Sequence, residues 1–159
     1  MPPSSRGALD RPSVYASAHP STAYWVPVGR LLFSLVFLLA APGHFTAGGI
    51  GYAASQGVPF ANILVPFTGI LLILGGLSVL LGFHARVGAL LLALFLVPVT
   101  LMMHPFWAVD EPAAAQVQQI MFMKNLALLG GTLLILYFGA GPFSVDERRD
   151  THDARTTRL

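Results

Sequence analysis

Four stretches of almost unbroken apolar residues divide the chain: Trp25–Ala41, Asn62–Leu81, Val87–Met103 and Gln119–Phe138. Each approaches the ~20 residues with which an α-helix crosses ~30 Å of hydrocarbon. The breaks between them are short and polar, as tight connections in a membrane bundle would be. The pattern predicts an all-α fold, a four-transmembrane-helix bundle forming one domain over residues 24–140. Residues 1–23 then make a flexible cytoplasmic leader. Residues 141–159 make a disordered cytoplasmic tail, in which Asp146, Glu147, Asp150 and Asp153 are mixed among arginines. The first run is not read as a cleaved signal peptide. Its polar leader, Met1 to Tyr24, is long, and Pro42 directly follows Ala40 and Ala41 where a clean cleavage site would be needed.

Composition points to the same solvent. Of 159 residues, 55% are hydrophobic and 10% charged, and the mean hydropathy is +0.69; soluble domains carry about 25% charged residues. Charge then orients the layout. Of the nine Lys and Arg, eight fall on one side: Arg6, Arg11, Arg30, Arg86, Arg148, Arg149, Arg155 and Arg158. Lys124 is left alone on the other. The positive-inside rule puts both termini in the cytoplasm, with Arg30, Arg86, Arg148 and Arg149 as topology determinants. A pI near 9.4 is therefore a topology signal. With a net charge of only +2, it gives no nucleic-acid footprint.

The chain has no cysteine, so no disulfide, thiolate metal site or CxxC relay can form within it. No Gly-rich nucleotide loop, HExxH motif or carboxylate pair within an apolar helix is present. Asp110 and Glu111 precede Pro112 and read as a solvated turn. A metal site on His44 and His104 lacks a clear third ligand, so none is expected. With no nucleophile–base or metal constellation, an accessory membrane subunit is expected over a stand-alone catalyst.

A faint repeat links the two halves. Arg30, Pro42 and His44-Phe45 correspond to Arg86, Pro98 and His104-Pro105-Phe106, and the pair Gly75-Gly76 corresponds to Gly130-Gly131. Two related helical hairpins would give this pattern. The paired glycines have a packing role in either case, because small residues let helix backbones approach closely.

The remaining question is "QQIMFMKNLALLGG", an apolar stretch that keeps Lys124 and Asn125. Lys124 is about five residues, ~7 Å, inside its run. Its stem could snorkel to the interface. Gln118, Phe122 and Asn125 fall at i, i+4 and i+7, which places both amides on one stripe. An amide beside an ammonium cannot leave both facing lipid, so at least one should turn into the bundle or a wet cavity. His44, His104 and Thr100 reach the same membrane depth, Thr100 and His104 sharing one helical face. Lys124, Asn125, His104, His44, Gln118 and Thr100 are thus the candidate lining of a polar pocket at the outer face. Such a pocket suits an anionic or quinone-like ligand, whose carbonyls would accept hydrogen bonds from Lys124, Asn125 and His104. Trp107 and Tyr52 read as interfacial anchors.

Five blocks, "GRLLFSLVFLLAAPGHF", "GVPFANIL", "LLGFHARVGALLLALFLVPVTLMMHPFW", "QQIMFMKNLALLGG" and "GPFSVD", resemble the DoxX family of small bacterial membrane proteins. The resemblance runs from Gly29 to Asp146 and implies a four-helix inner-membrane protein. It also implies association with quinone- or thiol-linked redox and oxidative-stress systems, with quinone as the possible cofactor and a redox or stress-response protein as partner. Two departures stand out, since relatives commonly carry a lysine where this chain has His44 and a glutamate near Thr68. Two functions follow. One is a redox subunit with a ligand pocket; the other is a non-catalytic scaffold or assembly factor whose polar cluster only fastens the bundle. A passive solute channel fits less well, because no helix carries a continuous polar stripe.

Overall fold

The computed structural model describes residues 22–149. Its helices are α1 (Trp25–Ala40), α2 (Ala47–Ser55), α3 (Ala61–Leu81), α4 (Ala85–Met103) and α5 (Pro112–Phe138). Short 3₁₀ turns at Ala41–Phe45 and Phe106–Ala108 extend α1 and α4. Four helical segments are long and apolar enough to cross a membrane: Trp25–Phe45, Ala61–Leu81, Ala85–Ala108 and Pro112–Phe138. Large apolar side chains on their outer faces are exposed, Leu39 at 75%, Ile63 at 64% and Leu134 at 60%. That outer surface requires lipid as its solvent. The protein is a multi-pass membrane protein.

Helices α1, α3 and α4 meet around Phe37, Ala41, Leu72, Val79, Leu92 and Leu96, and α5 packs Leu128, Leu129 and Ile135 against them. Small residues bring the backbones close. A Cβ on Gly75 would stand 2.8 Å from the Leu92 side chain, one on Gly76 2.9 Å from Leu38, and one on Gly131 2.8 Å from Phe33. Gly130 differs from the packing role expected of it. A Cβ there meets nothing within 4 Å, because that side of α5 faces outward. Gly88, which hydropathy alone does not mark, packs instead against Ser78 and the Gly75 carbonyl.

The short helix α2 has no counterpart among the four apolar runs. Its sequence, AGGIGYAAS, has little helix propensity or length to announce it. Thr46 starts it by accepting from Gly49 N–H at 3.0 Å and donating to Gly43 O at 2.9 Å. Ala53 then packs on Ala61 and Val65 of α3. Helix α5 also begins seven residues before the apolar run. Glu111 was read as part of a solvated turn; it is the N-cap, accepting from Ala113 N–H at 3.0 Å and Ala114 N–H at 2.6 Å. Pro112 takes the first helical position, where its missing N–H costs nothing.

One end of the bundle carries the start of α1, the α3–α4 turn and the segment after α5. There Arg30 is buried at 6% exposure and donates to Ala140 O and Phe143 O, each at 2.7 Å. The tight turn needs Gly82 in a left-handed conformation at φ 63°, and a Cβ there would run into Ser144. Asp146 completes the turn, its carboxylate accepting from His84 N–H at 2.8 Å and Ala85 N–H at 3.0 Å. These bonds cap α4 from 61 residues away in sequence, so the helix starts at Ala85 without a local cap. Ser144 and Glu147 close the segment on itself. Residues 141–149 are therefore folded, against the expectation of a disordered tail; local polar bonds and the Arg30 anchor replace solvation. The rest of that tail, 150–159, and residues 1–21 of the leader lie outside the described residues.

Arg30, Arg86 and Arg149 gather at this end. Arg86 donates to Tyr137 O at 3.2 Å, and Arg149 lies 4.5 Å over the Phe83 ring. Arg30, expected to set topology, is also a buried fastener.

Candidate functional site

The opposite end holds a cavity of about 730 Å³ between α1, α3, α4 and α5, roofed by Gly49, Tyr52 and Ala53 of α2. Its walls are mainly apolar: Val36 and Phe37 from α1, Leu71 and Leu72 from α3, Phe95 and Leu96 from α4, Leu128 from α5. Pro98 also lines it, inside α4, where a proline removes one intrahelical hydrogen bond and loosens the helix. Polar groups come from four directions. They are His44, Thr68, His104, and the neighbours Lys124 and Asn125.

His44, His104, Lys124 and Asn125, picked out in sequence by a shared depth, thus lie on one cavity wall system. Thr100 and Gln118 do not reach it. Thr100 is buried and donates back to Leu96 O at 2.5 Å, the usual fate of a hydroxyl inside an apolar helix. Gln118 belongs to the site's rim, its Oε1 2.7 Å from His104 Nδ1. This pair bridges α4 to α5. Phe122, one turn further on, meets the rings of Phe106 and Trp107 at 5.4 and 5.8 Å. The Gln118–Phe122–Asn125 stripe therefore faces α4. Trp107, read as an interfacial anchor, packs on α5 while keeping 60% exposure.

Hydrogen-bond geometry fixes what each polar group offers. His44 Nδ1 is 3.2 Å from Ala40 O, an atom that only accepts. The ring must donate there, so in its neutral form Nε2 is left as an acceptor. His104 donates through Nδ1 to Gln118 Oε1 in the same way. A neutral His104 therefore gives a ligand an acceptor, where the sequence reading expects a donor. Thr68 uses its hydroxyl on Val65 O at 2.7 Å. The donors left for a ligand are Lys124 and Asn125 on α5 and the Tyr52 hydroxyl in the roof. Asn125 is 7% exposed, and its amide has no hydrogen-bond partner among the described residues. Lys124 is exposed on one side and borders the cavity on the other, its Nζ folded back 3.6 Å from Met121 Sδ. It lies six residues past Gln118, about 9 Å below the His104–Gln118 rim along α5.

Three residues of the site carried no strong sequence signal. Gly49 and Ala53 enter through α2, and Phe95 turns its ring to His44 with centroids 5.7 Å apart. No group of three or more His, Cys, Asp or Glu that could hold a metal ion occurs among the described residues.

Comparison with known proteins corrects the expected kinship. The chain is 36% identical over 123 residues to inner membrane protein YqjF of Escherichia coli (strain K12), an alignment covering 76% of this chain and 88% of that protein. It is 29% identical over 134 residues to the Surfeit locus protein 4 homolog of Schizosaccharomyces pombe, covering 84% of this chain and 40% of the yeast protein. An uncharacterized protein of Caenorhabditis elegans, T02E1.7, is 33% identical over 67 residues, 42% of this chain and 24% of its own length. The chain thus spans less than half of these two eukaryotic relatives. No solved structure matches it. The SURF4 family model matches residues 13–152 and overturns the DoxX resemblance, whose blocks all lie within that span. Apolar helices look alike across different four-span bundles, and the longer blocks are mostly apolar helix. The chain belongs to the SURF4 family.

Proposed function

We propose that this membrane protein binds an amphipathic molecule in the cavity beneath α2, with the apolar body among α1, α3 and α4 and the polar head at Lys124 and Asn125. The observation that carries this reading is Asn125, a buried amide that lines the cavity and bonds to no other residue described. An amide that opens onto a mainly apolar cavity inside a membrane costs free energy, of the order of 1–3 kcal/mol, unless something entering the cavity satisfies it. The cavity volume falls within the range of ~300–1,000 Å³ common to small-molecule sites. Acting as a scaffold fits less well. Fastening a bundle requires bonds between helices, and only His104–Gln118 of the polar cluster makes one.

A quinone has the right general shape. The quinone- and thiol-linked redox association, however, came with the DoxX resemblance and loses its support along with it. The Arg30 end faces the cytoplasm of a bacterial inner membrane on this reading, and the Lys124 end faces outward. Relatedness to an inner membrane protein supports the location.

Mass spectrometry of the detergent-purified chain tests the binding claim. The wild type should retain an amphipathic molecule that is lost in Thr68→Trp, which fills the cavity. An empty wild-type protein, with the cavity closed to added amphiphiles, would overturn it. Orientation is read separately. Because the chain lacks cysteine, Gln56→Cys should react with an impermeant maleimide added outside spheroplasts, and Arg149→Cys only after lysis.

A further inference from the structure

The cavity is electrically one-sided. Lys124 is the single lysine of the chain, and no Asp or Glu lines the cavity with it. Its recorded contact is a thioether sulfur, a weak acceptor. An ammonium within a membrane-spanning helix is costly without a counter-ion, and no carboxylate lines the cavity that this one borders. Asn125, the next residue, adds unpartnered N–H donors. Both face the same volume from beneath the roof of α2, about 9 Å below the His104–Gln118 rim. A head that reaches them must be negative, rich in acceptors and small. The headgroup of a bilayer phospholipid fails on the last count, because it needs the hydrated headgroup layer above that rim.

Resting on the binding reading above, we propose that the ligand is a single-chain amphiphile with a carboxylate head, a long-chain fatty acid anion. Its carboxylate pairs with Lys124 and accepts from the Asn125 amide. Its chain lies along Val36, Leu72, Leu94 and Leu128. The ligand supplies the anion that the protein itself leaves out.

The test uses the full chain in phosphatidylcholine nanodiscs, with radiolabelled palmitate and its uncharged methyl ester as probes. At about pH 8.5 the carboxyl of the probe is ionised. The wild type should prefer the acid. Lys124→Gln should weaken acid binding about tenfold, the size of one charge-assisted hydrogen bond, and ester binding by much less. Lys124→Arg should restore the preference. Equal binding of acid and ester, unaltered in Lys124→Gln, overturns the carboxylate assignment while the cavity reading stands. Failure of both probes to bind overturns the fatty-acid assignment, while the cavity reading falls only with an empty protein closed to other amphiphiles. Displacement of palmitate when the nanodiscs contain phosphatidylglycerol would give the site to a bilayer lipid and overturn the free acid as occupant.

Discussion

The two ends of this bundle use polar residues in opposite ways. At the Arg30 end, the guanidinium holds two carbonyls beyond α5, and Asp146 caps α4 across the chain. At the Lys124 end, an ammonium and an amide border a cavity and bond to no other helix. Lipid makes unpaired polar groups expensive at either end. Paired, they stabilise the fold; unpaired beside a cavity, they are matched to something the chain does not itself contain. Arg30 Nε and Ser34 Oγ also lack partners among the described residues, but they are sealed inside the bundle, whereas Lys124 and Asn125 open onto the cavity, and that opening separates structure from site.

The largest expected effect lies at the fastened end. Arg30→Leu removes two charge-assisted hydrogen bonds and strands two carbonyls, and should cost about 3 kcal/mol. It should appear as the steepest fall in thermal midpoint among single variants in detergent. Asp146→Ala comes next. It uncaps α4 and should cost about 1 kcal/mol in the same assay. An Arg30 variant as stable as wild type would erase the contrast between the ends.

At the open end the sign should change. Asn125→Leu replaces an unpartnered buried amide with an apolar side chain of similar size. Stability should hold or rise by up to about 1 kcal/mol, while bound amphiphile is lost. A variant that unfolds would make Asn125 a fastener. The smallest effect concerns Glu111. Hydrogen bonds from Ala114 N–H and then Ala113 N–H hold its carboxyl below the usual range. Its stabilisation is therefore present above the unfolded-state pKa, ordinarily near 4.5, and is lost as pH falls through the lower folded value. Glu111→Gln should flatten that acid limb of the stability–pH curve, giving up a small stabilisation at pH 7 and matching wild type below the folded value.

Much of this was legible in the sequence because lipid enforces a simple rule. Four apolar runs of near-spanning length give four spans, and counting residues from the run ends brings His44, His104, Lys124 and Asn125 to the same end of the bundle. What the sequence hid are contacts between distant segments. Asp146 looks like one charge in a solvated tail, yet it is the cap of a helix 61 residues earlier. Arg30 reads as a topology signal until its carbonyl partners are seen. Helix α2 is Gly- and Ala-rich and owes its existence to the Thr46 cap and packing on α3, neither visible as periodicity. Thr100 shares a face with His104, but its hydroxyl turns back to its own helix. The DoxX resemblance misled for a related reason: shared apolarity reports the solvent more than the lineage.

An experimental structure of the protein purified from its native membrane tests the central claim most directly. Elongated density should run beneath α2 along the α1, α3 and α4 walls and end within hydrogen-bond reach of Lys124 Nζ and the Asn125 amide. A closed, empty interior, with Asn125 bonded to a neighbouring helix and Lys124 turned out to the headgroups, would contradict it.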